Sequence, residues 1–270
     1  MPLLHAPLPS RALLEVKGPD WRPFLQGLLT QDVLTLAPGE LRFAALLTPQ
    51  GKFLFDLFLT GRDDGCLLDV QAARRDELRQ RLLMYRLRAK VEIASVPGAV
   101  SVLWPSSPAL PGEGWMPDPR LPLLGWRTLD GSRPTEAEPA GEDAYHAHRL
   151  SLGVPDPARD CLPDKTYPIE ANFDLLHGID FKKGCFVGQE TASRMKRRGQ
   201  IKTRMLPIRF DGPPPPFGAE VLAGELRAGE VLSGRDGAAI ALLRLDRIEG
   251  AELTAEGRPL RAWRPEWLEA

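Results

Sequence analysis

The stretch FKKGCFVGQETASRMKRRGQIKTR, Phe181 to Arg204, decides how the rest of this chain is read. It holds eight Lys or Arg residues (Lys182, Lys183, Arg194, Lys196, Arg197, Arg198, Lys202, Arg204) against one acid, Glu190. The whole chain is formally −1, so a stretch at +7 leaves all other residues at −8. That asymmetry marks a site for something anionic, with the thiol of Cys185 inside it. Cations or a helix N-terminus beside a thiol lower its pKa toward neutrality. Lys182 and Lys183 precede Cys185, and Thr191 to Arg197 is expected to start a helix just after it. These residue types allow a thiolate nucleophile, a redox group or a soft-metal ligand. The plain alternative is a small buried residue in a tight turn. Gly184, Gly188 and Gly199 would let backbone N–H groups approach a ligand.

Outside this stretch the sequence mainly excludes. At 270 residues it allows one large domain or two unequal ones. No apolar run reaches eighteen residues, so no membrane span is expected, and the start lacks the pattern of a secretory signal. Three cysteines without CxxC spacing argue against a disulfide framework or a closed zinc site. They fit a reducing compartment, and 27 prolines with abundant Arg and Ala suggest a GC-rich bacterial genome. A bacterial cytoplasm is therefore the expected location. The pI of about 6.5 argues against nucleic acid as a partner of the whole chain. The four histidines show no metal spacing, and no GxGxxG, Walker loop, GxSxG or HExxH is present.

Along the chain, helices are expected over Trp21–Leu29, Ala73–Leu87, Asp143–Leu152 and briefly from Asn172. Strands are expected over Leu41–Leu47, Lys52–Thr60, Cys66–Val70, Val91–Ser95 and Ala99–Trp104, with long turns through Ser106–Pro139. Helices mixed with mostly antiparallel strands, rather than βαβ repeats, give an α+β fold class. DGPPPPFG, Asp211 to Gly218, cannot continue a helix or an interior strand and reads as a rigid connection. The short alternating runs beyond it suggest a small C-terminal antiparallel barrel-like lobe. The expected organisation is a region 1–205 of two interleaved lobes and a small β domain 206–270.

The motif Lys183-Gly184-Cys185-Phe186, with Gly188-Gln189-Glu190, resembles the signature of the YgfZ-type folate-binding proteins. Those are iron–sulfur cluster assembly factors related to the T-protein, the aminomethyltransferase of glycine cleavage. FLQGLLTQDV, LLTPQGKFLFDL, LLMYRLRAKV, RLSLGVP and PIEANFDLLHGIDF extend the resemblance over nearly the whole chain. It implies a T-protein-like ring of lobes around a central folate cavity. It implies a tetrahydrofolate-binding factor that builds, delivers or repairs [4Fe–4S] clusters, with A-type carriers as partners and radical tRNA-modifying enzymes among its clients. It further implies a monomer that acts as an assembly factor rather than a transferase.

Carried over residue by residue, Cys185 and Lys183 become the functional pair. Lys182, Gly184, Phe186, Gly188, Gln189, Glu190, Arg194 and Arg198 would lie along the folate cavity, with Glu170 toward the heterocycle. One thiol cannot hold a four-iron cluster alone, so Cys185 would share a transient [4Fe–4S] cluster with a partner. The chain departs from the T-protein at Arg149-Leu150-Ser151-Leu152-Gly153, where a carboxylate near the pterin is missing. Asp76 falls near the transferase's catalytic aspartate. A one-carbon transferase using Asp76 is the second reading, and an RNA-binding tract from Arg194 to Arg204 the third.

Overall fold

A computed structural model describes residues 2–105, 112–197, 199 and 201–269. Arg198, among the expected cavity residues, lies outside the described residues. The first sheet contains β2 (Arg11–Lys17), β3 (Leu41–Leu47), β4 (Phe53–Gly61), β5 (Gly65–Gln71) and β6 (Glu92–Val96), in the antiparallel order β3-β4-β5-β2-β6. All nine residues of β4, FLFDLFLTG, are buried. That explains a sequence too apolar to alternate: both faces of the sheet are covered. Leu57 and Leu59 pack with Leu25 of α1 (Trp21–Gln26) and with Leu78 and Leu82 of α2 (Arg75–Arg86). On the opposite face, Phe43, Phe53 and Phe58 meet Phe173, Ile179 and Phe186, the Phe43 and Phe173 rings stacking at 4.7 Å.

A second sheet takes β1 (Leu4–Pro7), β7 (Ser101–Trp104), β8 (Met116–Pro117), β9 (Trp126–Thr128) and β10 (Glu138–Pro139), in the order β10-β1-β7-β9-β8. Helices α3 (Glu142–Ser151) and α4 (Pro157–Asp160) follow it. After the Cys185 segment and α5 (Gln189–Arg197), six strands close a barrel in the order β11-β14-β13-β12-β15-β16. These are β11 (Thr203–Arg209), β12 (Glu220–Ala223), β13 (Leu226–Arg235), β14 (Ala238–Arg244), β15 (Leu253–Ala255) and β16 (Arg258–Ala262).

The α+β class and the C-terminal barrel agree with expectation; three details differ. DGPPPPFG joins β11 to β12 inside the barrel instead of leading into it. Its prolines sit in a loop, where no ladder hydrogen bond is needed. The expected helix from Asn172 is a series of turns, and Asn172 adopts φ 61°. Its buried side chain holds Met205 O and Arg204 instead of facing a helix surface. The helix expected to Leu29 ends at Gln26 because the following carbonyls turn inward to a lysine described below.

Buried charges tie these units together. Asp69 of β5, fully buried, accepts from Arg11 Nε at 2.6 Å and from Arg127 of β9 at 2.7 Å. Arg11 also holds Asp56 of β4 at 2.7 Å. Arg149 of α3 holds Asp160 at 3.0 Å and donates to Ser233 Oγ of β13 at 2.6 Å. Removing one member of such a set leaves an uncompensated buried charge. Asp69→Ala is therefore expected to destabilise the protein by about 3–5 kcal/mol in urea unfolding, because it leaves Arg127 without its carboxylate and Arg11 with Asp56 alone. A surface control, Asp76→Ala, should change stability by less than about 0.5 kcal/mol.

Candidate functional site: an exposed thiol on an anchored loop

The Cys185 loop is built from its anchors inward. Asp180 Oδ1 accepts from the backbone N–H groups of Lys182 and Lys183 at 2.7 and 3.2 Å, forming a turn. Lys183 then points into the protein. Its Nζ donates to the carbonyls of Gln26, Leu29 and Gln31 at 2.7, 2.5 and 2.8 Å. All three ammonium protons are thus placed. Burial pushes the Lys183 pKa down to about 8, with Asp32 and Asp180 opposing, so the charged form persists at neutral pH. Phe186 is buried in the core beside Phe53 and Phe173, and Val187 N–H donates to Gly27 O at 3.1 Å.

At Gly188, φ is 83° and a Cβ would lie 2.6 Å from Thr48 O. Gly51 of the facing turn has the same limit, its Cβ position lying 2.7 Å from Thr191 Cβ. The two glycines let the 48–51 turn and the start of α5 touch. Between these anchors Gly184 and Cys185 are exposed.

The other two thiols are different. Cys66 and Cys161 are buried. Burial pushes Cys66 up to about 12, and burial with nearby Asp160 raises Cys161 as well. Neither is an available thiolate. Among the described residues no group of three or more His, Cys, Asp or Glu side chains converges as a metal site.

The expected companions of Cys185 scatter. Lys183 turns inward while Cys185 faces solvent, so the two do not form a pair open to one ligand. Lys182, Glu190 and Arg194 are exposed on the outer surface, and Gln189 is half-buried at the start of α5. Glu170 is half-buried; burial raises its pKa, while its carboxylate accepts from Tyr167 N–H at 2.9 Å. Asp76 lies on the outer face of α2, its side chain 82 % exposed and 3.5 Å from Arg75. The helix turns Leu78 and Leu82 inward, which carries Asp76 outward. The acid required by the transferase reading is thus not in a cavity.

The cleft between the sheets, α3 and α4 is lined by Arg11, Asp56, Phe58, Arg120, Arg127, Tyr145, His146 and Arg149, and by none of the described residues of 181–204. This corrects the expectation that the basic tract lines the central cavity: α5 packs outside. Asp56, Glu142 and Asp156 are the acids that line it, Asp76 is not among them, and Arg11 and Gln71 already hold Asp56. The Phe58 ring carries the Arg127 guanidinium at 4.1 Å and that of Arg120 at 4.9 Å. Burial alone would raise Asp118, yet Arg120 at 2.7 Å keeps it below the ordinary carboxylate range. Burial and Arg149 push His146 down to about 3, so its neutral ring accepts from Arg149 Nε at 2.9 Å.

Tetrahydrofolate does not fit this cleft as built. The free volume is about 40 Å³, whereas ligand-sized pockets hold roughly 300 Å³ or more. Entry would also require guanidinium groups to leave Phe58 and their carboxylates. These cleft residues escaped the sequence reading, although Asp56 in FLFDLFL and Asp69 in CLLDV carried a signal. A lone acid inside an apolar strand needs a buried cation.

Two outcomes follow. Any saturable heat that tetrahydrofolate gives in anaerobic calorimetry is expected to survive Tyr145→Phe, because this cleft has no room for the ligand. Lys183→Ala, leaving three carbonyls without their donor, should lower stability by about 2–4 kcal/mol in urea unfolding.

Comparison with known proteins places this geometry. Residues 202–270 match the family model described as the C-terminal β-barrel domain of CAF17. The glycine cleavage system aminomethyltransferase T from Bartonella henselae superimposes with a TM-score of 0.79, covering 99 % of this chain and 87 % of that one. At 18 % identity it shows the fold alone. The mitochondrial iron–sulfur cluster assembly factor IBA57 of Homo sapiens is 33 % identical, with 90 % of this chain and 78 % of that protein aligned. The Mus musculus protein of the same name is 30 % identical with the same coverage. These relatives are mitochondrial, which overturns the expectation of a bacterial cytoplasm. Free thiols suit either reducing compartment, so the features behind that expectation could not separate the two. On the strength of this identity and coverage, the chain belongs to the IBA57 family of iron–sulfur cluster assembly factors.

Proposed function

We propose that this chain assists the assembly of [4Fe–4S] clusters by lending the Cys185 thiolate to a cluster whose remaining ligands come from a partner protein. The observation that carries this reading is the contrast among the three thiols: Cys185 is exposed, and the other two are buried. Iron–sulfur clusters are held by several thiolates at once. A single open thiol on an anchored loop suits a shared, transient cluster better than a resident one. The anchors fix where the sulfur sits: Lys183 and Phe186 hold the loop from within, and Asp180 shapes its entry. The partner is a cluster carrier of the A type, and the clients are iron–sulfur enzymes such as radical tRNA-modifying ones. No step in this reading passes through folate.

Mixing the apo-protein anaerobically with a cluster-loaded carrier should produce an absorption and circular-dichroism spectrum distinct from that of the carrier alone. Cys185→Ser is expected to abolish that change while leaving the melting temperature where it is. Cys66→Ser, which buries a hydroxyl in an apolar core, should keep the spectral change but lower stability by about 1–3 kcal/mol. An unaltered spectral change with Cys185→Ser would remove the thiol from the mechanism.

A further inference from the structure

A second cavity opens where the far ends of the two sheets meet. The β4–β5 hairpin contributes Thr60 and Leu67, a cross-strand pair. The second sheet and its connections contribute Trp115, Met116, Leu129 and Asp130. The volume is about 380 Å³, within the range of small-molecule sites. None of the residues lining the ion-filled cleft lines this cavity, and neither does any described residue of the barrel or of 181–204. Thr60 lies at the opposite end of the nine-residue β4 from Phe53, the neighbour of Phe186 in the core. At about 3.3 Å per residue those ends are more than roughly 20 Å apart. The cavity is therefore separate from the Cys185 site.

Its floor is apolar and fixed. Leu67, Trp115 and Leu129 are buried. His5 meets the Trp115 ring edge-on, centroids 6.1 Å apart, which holds the ring's orientation. Thr60 is buried too, and its hydroxyl donates to the Met116 sulfur at 3.8 Å, a weak acceptor. At the lip, Gly39 adopts φ 76°, and a Cβ there would meet nothing within 4 Å, so the mouth is open.

Two charges stand at that mouth, and only one is met. Arg62 donates to Glu15 at 3.2 Å. Asp130 is held differently: Thr128 Oγ1 and Ser132 N–H both donate to its Oδ1 at 2.8 Å. Burial would raise its pKa, but these hydrogen bonds hold it below the ordinary carboxylate range, and no cation is among its chief supports. Its Oδ2 faces Gly114, where a Cβ would lie 3.0 Å away and crowd it. The glycine, at φ 81°, leaves that oxygen open.

We propose that this cavity binds a small arylalkylamine, its ring lying among Leu67, Trp115 and Leu129 and its ammonium pairing with Asp130 at the mouth. The class follows from what the cavity leaves unmet. A buried floor carrying an indole takes an apolar ring through area burial and aromatic contact. A carboxylate oriented by two donors and without a cation takes an ammonium. A carboxylate ligand would instead face Asp130 and would have to displace Glu15 from Arg62.

The probe is phenethylamine, titrated into the full nitrogen-15-labelled chain while the indole N–H resonance of Trp115 is followed. Trp115→Phe identifies that resonance among the six tryptophans. A saturable shift is expected, with a Kd of about 1 mM or tighter for so small a ligand. 3-Phenylpropionate, with the same ring and linker and the opposite charge, should give none. Asp130→Asn keeps an acceptor for Thr128 and Ser132 on an exposed side chain. It should weaken binding about tenfold without moving the melting temperature. Cys185→Ser should leave the titration unchanged. An unmoved Trp115 resonance, an equal shift with the acid, or undiminished affinity in Asp130→Asn would each overturn the inference. Loss of binding in Cys185→Ser would place the amine at the cysteine loop and overturn it equally.

Discussion

Asp69 has no solvent contact, and both guanidinium groups that neutralise it belong to different sheets: Arg11 to its own and Arg127 to the neighbouring one. A buried carboxylate is tolerated only when its charge is met and its lone pairs are occupied. Its placement thus forces the two sheets into one relative position. From there the constraint spreads. Arg11 reaches Asp56, and Arg120 and Arg127 cover Phe58. Arg149, farther along, joins α3 to Asp160 and to Ser233 of the barrel. The cleft between the sheets is thus filled by the chain's own charges. Well-packed apolar side chains could be at least as stabilising there. What the ions supply is a fixed geometry between units joined by few regular strand pairings.

That fixed geometry matters to a surface site. The Cys185 loop has no secondary structure of its own, yet it is held at four points. Lys183 binds three carbonyls, Phe186 enters the core, Val187 pairs with Gly27, and Gly188 lies against the 48–51 turn. Each anchor belongs to the first sheet or to its connections. The thiol is consequently presented by a rigid body, and the cationic helix that follows is presented with it. The lysine beside the cysteine serves as a support instead of a second ligand.

Much of this was legible in the sequence, and the rest was hidden for identifiable reasons. Periodicity located α2 and the strands β3 to β5 because each buries a regular stripe or a full apolar run. The charge imbalance of 181–204 marks the exposed face formed by the Cys185 loop and α5. Sequence could not say that Lys183 faces inward, because neighbouring lysines look alike until the carbonyls of 26–31 are placed. Nor could it tell a basic tract lining a cavity from one on an outer helix: both are runs of Arg and Lys, and only the packing of Phe186 and Ala192 decides the side. Asp76 stands out only by its position along the chain, whereas Asp56 and Asp69 carry the stronger physical signal of acids inside apolar strands. DGPPPPFG resembles a boundary because proline breaks ladders, and a loop between two barrel strands satisfies the same chemistry.

The central claim is that Cys185 itself binds iron when the chain meets a cluster-bearing partner. Selenocysteine at position 185 would test it most directly, with X-ray absorption at the selenium edge in the complex with a loaded carrier. The account predicts a selenium–iron scattering path that is absent from the free protein. A selenium environment of carbon alone, in a complex that still carries its cluster, would contradict it.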